Sequence, residues 1–177
     1  NMFYDVAARS RGEPRRAVFS DDSVLQTGGG AKGMVPPADW KEVVAAFFGT
    51  KIVMSYGMTE LNGFSLQCDH GRYHVPPWVI LTLLDPETSR PLPGNGVRTG
   101  RAAYFDISMQ GAWGGLITGD RVTADWDTSC ACGRSSIHLA MDVERYSALQ
   151  GGNDKITCAA TPTAHAEAMD YLVGLDA

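Results

Sequence analysis

The sequence predicts an α/β fold: a strand-helix-strand crossover unit, then a small antiparallel β-barrel-like subdomain and a short α/β C-terminal segment. Three observations predict it. A strand, an amphipathic helix and a second strand follow one another between Ser23 and Ser55. From about residue 75, short apolar runs alternate with Pro- and Gly-rich turns, the pattern of hairpins rather than crossovers. A helical pattern returns after Thr161. The expected division is residues 1–75, the end of an α/β subdomain; 76–145, the barrel-like subdomain; and 146–177, an abbreviated C-terminal segment.

The elements follow in order. Ser23 to Thr27 (Ser-Val-Leu-Gln-Thr) reads as a short strand stopped by Gly28, Gly29 and Gly30. Pro36 and Pro37 then introduce Trp40, Val43, Val44, Phe47 and Phe48, spaced i, i+3, i+4, i+7 and i+8 on one helix face, with Gly49 to close it. Lys51 to Ser55 is a second apolar strand, at a spacing that suits a parallel crossover. Trp78 to Leu84 is a third, ended by the turn Asp85-Pro86-Glu87-Thr88, and Pro91, Pro93, Gly94 and Gly96 mark further turns. Ala102 to Ile107, Gly115 to Thr118 and Arg121 to Trp126 are expected strands separated by Gly-containing turns. Cys158 is expected on a strand, and Thr161 caps a helix with Pro162 in its first turn and Met169, Leu172 and Val173 on its buried side.

Composition narrows the function classes. With 15 Lys and Arg against 20 Asp and Glu the net charge is −5, which argues against a nucleic-acid binder. At 44% hydrophobic and 20% charged the chain can build a core and is not a disordered sequence. Gly and Pro, 20 and 9 of 177 residues, exceed the roughly 12% of an average protein and point to many turns. No run approaches the roughly 20 apolar residues that cross a bilayer, and none near Asn1 resembles a secretory signal. A cytoplasmic protein without a membrane partner is expected. Its four cysteines then suit metal binding, catalysis or free thiols better than disulfides.

The most informative segment is Ser55-Tyr56-Gly57-Met58-Thr59-Glu60, directly after a buried strand, where α/β sheets bind ligands. Tyr56 can stack on a flat base, Thr59 can hydrogen-bond a phosphate, and Glu60 can hold a divalent cation against polyphosphate charge. The plainer reading is a strand ending in a Gly turn, with Thr59 capping a helix and Glu60 answering its dipole. Thr27 to Gly33 (Thr-Gly-Gly-Gly-Ala-Lys-Gly) also follows a strand and allows close backbone approach to a ligand. In Thr118-Gly119-Asp120-Arg121 a carboxylate at a strand end can bridge two ribose hydroxyls; the alternative is an ordinary turn with a solvated Asp.

In their order and spacing, Gly-Gly-Gly-Ala-Lys-Gly, Tyr-Gly-Met-Thr-Glu and Thr-Gly-Asp resemble the adenylate-forming superfamily of acyl- and aryl-activating ligases. Asp-Pro-Glu-Thr at Asp85 to Thr88 and Cys-Ala-Cys-Gly-Arg at Cys130 to Arg134 place the likeness nearest phenylacetate–CoA ligases and acyl-protein synthetases. It runs from about Phe19 to about Lys155, and Tyr-Gly-Met-Thr-Glu is its most specific part. The resemblance implies ATP and Mg²⁺ as cofactors and makes residues 1–75 the end of a nucleotide-binding subdomain. Gly28, Gly29 and Gly30 would line the adenine side, with Tyr56, Gly57 and Met58 against the nucleotide. Thr59 would touch phosphate, Glu60 would hold magnesium, Asp120 would take the ribose hydroxyls, and Arg145 or Arg134 would be the basic residue nearby. Met141 to Tyr146 departs from the family's usual Gly-Arg-x-Asp hinge, and Gly152-Asn153-Asp154-Lys155 is a second candidate for it. No Ser/Thr/Gly-rich triphosphate loop precedes Gly28, no Lys follows Lys155, and the first residue is Asn1, so the downstream part of such a ligase is expected, with little adenylation by itself.

The cysteines add a second signal. Cys130-x-Cys132 sits in a turn, and Cys68 lies near His70 and His74. Cys68, His74, Cys130 and Cys132 would form a closed tetrahedral zinc site, with His70 competing for the place of His74; free thiols and a solvated histidine are the alternative. Cys158 is either an acyl carrier, as acyl-protein synthetases use a cysteine, or a small buried hydrophobe. The expected partners are a carboxylic acid substrate and a thiol acceptor, either coenzyme A or a protein cysteine, with a second copy of the chain or an acyl-acceptor protein as candidate macromolecules. A zinc-stabilised interaction module on the ligase scaffold is the rival function.

Overall fold

A computed structural model of the protein describes residues 2–9, 19–20, 22–28, 37–111 and 113–149. Gly29, Gly30, the 152–155 segment, Cys158 and the helix expected after Thr161 lie outside them. In chain order the elements are α1 (Met2–Arg9), β1 (Val24–Gly28), α2 (Trp40–Phe48), β2 (Lys51–Tyr56), β3 (Ser65–Gln67), β4 (Tyr73–His74), β5 (Val79–Leu84), β6 (Val97–Asp106), β7 (Gly115–Asp125), β8 (His138–Leu139), β9 (Glu144–Arg145) and α3 (Tyr146–Leu149).

The crossover unit forms as its periodicity predicts. Strands β1 and β2 pair in parallel over five residues, from Val24↔Lys51 to Gly28↔Ser55. Helix α2 buries Val44 and stops at Gly49, whose φ of 65° is the left-handed conformation that glycine adopts without a Cβ clash. Both strands end at the same edge. A Cβ on Gly28 would fall 2.6 Å from Ser55 Oγ and 2.7 Å from the Ser55 carbonyl oxygen, so only glycine fits there.

Beyond β2 the chain turns antiparallel. All strands join one sheet in the order β1-β2-β3-β4-β8-β7-β6-β5, with β9 on β7. Among the described residues the sheet is mixed and open, since β1 and β5 at its two ends do not pair; the closure that a barrel requires is not formed. Its core is Leu61, Tyr73, Val79, Leu81, Leu83, Ala102, Tyr104, Val122, Ala124 and Leu139, all buried. The Asp-Pro-Glu-Thr string is the expected turn: Asp85 Oδ1 accepts from the Glu87 and Thr88 amides and the Thr88 hydroxyl.

One expectation is corrected. Gly115 to Thr118 and Arg121 to Trp126 are not two strands separated by a turn, because Gly115–Asp125 is a single strand. Its register on β6 jumps from Arg101↔Arg121 to Ala103↔Ile117. Thr118, Gly119 and Asp120 therefore face Ala102 alone. Such a bulge bends a strand without ending it, and the Thr118 hydroxyl donates to the Ala102 carbonyl at 2.9 Å to hold it.

Candidate functional site

The bulge decides where Asp120 goes. Its carboxylate is buried, and two residues distant in sequence reach it: Tyr56 Oη donates to Oδ2 at 2.8 Å, and Arg145 Nε lies 2.8 Å from Oδ1. Tyr56 comes from the end of β2. Arg145 is delivered by β9, which pairs Arg145 with Asp120 and Glu144 with Arg121. Arg145 is thus the basic residue of this group. Arg134 stands apart in the β7–β8 connection, where its carbonyl accepts from the Cys130 amide.

Tyr56 is held on three sides. Its ring centroid lies 6.0 Å from that of Tyr73 and 6.3 Å from that of Tyr104, both tilted contacts. Burial first, then Tyr104 and the Asp120 charge, push the phenol far above its ordinary range, so it remains a hydrogen-bond donor. Each Asp120 oxygen engages one donor here, and a carboxylate oxygen can accept a second. The group therefore combines a fixed aromatic ring, a buried anion with spare acceptor capacity and a half-exposed cation.

The Gly57-to-Phe64 loop carries the rest of the motif. Thr59 and Glu60 are exposed, and the Thr59 hydroxyl donates to Glu60 Oε2 at 3.1 Å. No helix follows Thr59, so the capping alternative is removed: the chain reaches β3 at Ser65 after a few irregular residues. Gly57 lets the Phe64 ring lie against the backbone, where a Cβ would fall 2.6 Å from the ring. Met58 packs on the core. Gly28 lies at the neighbouring end of β1, beside Ser55.

A residue that sequence reasoning missed anchors this loop. Asp106, at the end of β6 and 1% exposed, accepts from the amides of Asn62 (2.9 Å), Gly63 (3.0 Å) and Ser108 (2.9 Å) and from the Ser108 hydroxyl (2.6 Å). Burial alone would raise its pKa, but the Ser108 hydroxyl and the three amides outweigh it and hold the carboxyl below the usual range. The available signal was Asp106-x-Ser108, a local Asx pattern. Its link to residues 62 and 63 exists only in three dimensions.

The second group is the Cys/His cluster. One ligand atom each from Cys68, His74, Cys130 and Cys132 all lie within 4.8 Å of one another. His74 takes the place contested by His70, which is exposed in the turn before β4. Two turns of one shape present the cysteines: the Gly71 amide donates to the Cys68 carbonyl and the Gly133 amide to the Cys130 carbonyl. Both glycines have left-handed φ, 66° and 86°. Sulfurs about 2.3 Å from a tetrahedral ion lie about 3.8 Å apart; Cys68 Sγ and Cys130 Sγ are 3.8 Å apart. Cys132 Sγ lies 3.3 Å from His74 Nε2, while His74 Nδ1 meets Ser136 Oγ at 3.1 Å, a partner that fixes the ring. Burial, with Arg134 and His138 adding to it, lowers the His74 pKa and keeps the imidazole neutral, the form that binds metals. Burial works against the Cys68 thiolate, yet backbone hydrogen bonds from Arg72 and His70 bring that thiol's pKa below its ordinary value.

No helix among the described residues is long and apolar enough to cross a membrane. No family model matches the chain. A long-chain-fatty-acid–luciferin-component ligase of Aliivibrio fischeri is 30% identical over 102 residues, covering 53% of this chain and 26% of the relative. The chain thus spans about a quarter of that relative's length. Solved structures that share its shape in part include an open 2-hydroxyisobutyryl-CoA ligase with 2-HIB-AMP and CoA, at 19% identity and a TM-score of 0.48, over 69% of this chain and 27% of that one. Another is MatB of Rhodopseudomonas palustris without ligand, at 23% identity and a TM-score of 0.42, over 67% and 25%. In its motifs and in its curated relative, the chain resembles the downstream portion of the adenylate-forming ligases.

Proposed function

We propose that this chain supplies part of an ATP-dependent carboxylate-activating ligase, which forms an acyl- or aryl-adenylate and passes the acyl group to a thiol of coenzyme A or of a protein. The observation that carries this reading is the convergence of Tyr56, Asp120 and Arg145, which brings two of the three nucleotide motifs onto one buried carboxylate. The Aliivibrio fischeri relative is a ligase of a long-chain fatty acid, which favours a carboxylic acid as substrate here. The narrower assignment, to a phenylacetate–CoA ligase or acyl-protein synthetase type, rests on the Asp-Pro-Glu-Thr and Cys-Ala-Cys-Gly-Arg strings. The rival interaction module has no observation of its own in its favour.

Bound ATP would supply an electrophilic α-phosphate for the carboxylate. The chain's residues divide the work around it. The Tyr56 ring, its hydroxyl fixed by Asp120, offers a face on which an adenine can stack. Asp120 has the acceptor capacity for ribose hydroxyls. Arg145 pairs with that carboxylate at 2.8 Å and adds positive charge for phosphate. Thr59 would contact phosphate, and the exposed Glu60 carboxylate would hold Mg²⁺, a hard cation that takes oxygen ligands. Cys68, His74, Cys130 and Cys132 match the donors and spacing of a structural zinc site.

Calorimetric titration of the chain with a non-hydrolysable ATP analogue and Mg²⁺ tests the nucleotide assignment. Asp120→Ala and Glu60→Ala are each expected to weaken binding about tenfold or more, the equivalent of one charge-assisted contact. Unchanged affinity in both variants refutes it.

A further inference from the structure

We propose that a metal ion held by Cys68, His74, Cys130 and Cys132 is a clasp across one of the short joints of the sheet, and that this clasp keeps Tyr56 against Asp120. The inference rests on the metal reading above and extends it from a local staple to control of the site.

The ladders supply the argument. Strands β5 and β6 pair over six residues, and β6 and β7 over eight. Between Tyr56 on β2 and Asp120 on β7 the sheet runs through four consecutive joints, β2–β3, β3–β4, β4–β8 and β8–β7, each of only two residue pairs. Ladders this short contribute few backbone hydrogen bonds and open readily. The third of these joints, β4–β8, pairs Tyr73 with Leu139 and His74 with His138, and one further bond from the Val75 amide to the Ile137 carbonyl extends it.

The four donors lie on both sides of that joint. Cys68 is in the β3–β4 turn and His74 is on β4, while Cys130 and Cys132 are in the β7–β8 connection. One ion bound by all four would tie the β3–β4 hairpin to the strand that carries Asp120. Contact with the site is one residue away: Tyr73 precedes His74, and its ring packs on Tyr56, whose hydroxyl donates to Asp120. A shift of β4 along β8 would therefore move Tyr73 and, with it, Tyr56.

The test is amide hydrogen exchange on the 177-residue chain, purified without chelator, assayed for zinc, and compared before and after the metal is stripped with a chelator at neutral pH. One zinc per chain is expected. Stripping should accelerate exchange about tenfold or more at 65–75 and 137–141, and at Tyr56 and Asp120, while the β5–β6 ladder keeps its protection. Cys132→Ser should reproduce the stripped pattern, and His70→Ala should match the parent chain. Zinc bound with faster exchange confined to 68–72 and 130–134 overturns the clasp and leaves the metal reading intact. Loss of protection everywhere also overturns it, since the metal would then hold the whole fold. Absence of retained zinc overturns the metal reading itself, and the clasp with it.

Discussion

The two ends of the antiparallel sheet are built by different means. Strands β5, β6 and β7 hold together through long ladders of neighbours in sequence, with Leu81, Leu83, Ala102, Tyr104, Val122 and Ala124 buried beneath them. The stretch from β2 through β3, β4 and β8 has only two-residue ladders, and polar side chains do the joining there. Tyr56 reaches Asp120, Asp106 accepts the Asn62 and Gly63 amides, and four metal-type ligands face one another. Where backbone pairing is long, apolar side chains fill the space beneath it. Where it is short, polar groups must supply the connection, and those same groups are the ones able to bind a ligand.

Three perturbations would break or sharpen this contrast. The largest effect is expected from Leu139→Ala in the seam and Leu83→Ala in the long ladder, both fully buried. Each should cost about 3 kcal/mol in urea unfolding. Only Leu139→Ala should also weaken binding of an ATP analogue; equal binding losses would erase the distinction.

A smaller loss, about 2 kcal/mol, is expected for Asp106→Ala, which strands the Asn62 and Gly63 amides. The sign of its pH dependence follows from the lowered pKa. A carboxyl whose folded pKa lies below its unfolded one contributes stability above the unfolded value and loses it as pH falls through the folded value. Asp106→Asn should therefore flatten the decline in stability below about pH 4. Denaturant unfolding across a pH series measures this, and an undiminished slope would contradict the role given to Asp106.

The smallest effect belongs to the turns of the cysteine cluster. Gly71→Ala and Gly133→Ala place a Cβ at positive φ with no neighbour within 4 Å, so the cost is backbone strain alone, about 1 kcal/mol each. Scanning calorimetry reads it. A fall in melting temperature with no loss of zinc would separate turn strain from metal binding.

Much of this was legible from local pattern. The i, i+3, i+4 spacing from Trp40 to Phe48 and the Gly49 stop correspond to α2 and its left-handed cap. Asp85 to Thr88 is the turn its residues predict. The short strands β3, β4, β8 and β9 were not legible, because two or three residues carry no periodicity. The bulge at Thr118 to Asp120 was read as a strand boundary for a related reason: Gly119 weakens the strand signal, and only the register against Ala102 shows that the strand continues.

The sequence by itself determined the elements that depend on near neighbours and the residue types able to do chemistry: Tyr56, Thr59, Glu60, Asp120 and the cysteines with their two histidines. Tertiary structure alone decided among equals. It chose His74 over His70 because β4 sets His74 opposite His138, beside the β7–β8 connection. It chose Arg145 over Arg134 because β9 pairs Arg145 directly with Asp120. It also recruited Asp106, whose partners Asn62 and Gly63 lie more than forty residues away. The physical reason is common to all three. Local propensity acts over a few bonds, whereas a binding group is assembled by cross-strand register, which is set by burial and pairing between segments far apart in the chain.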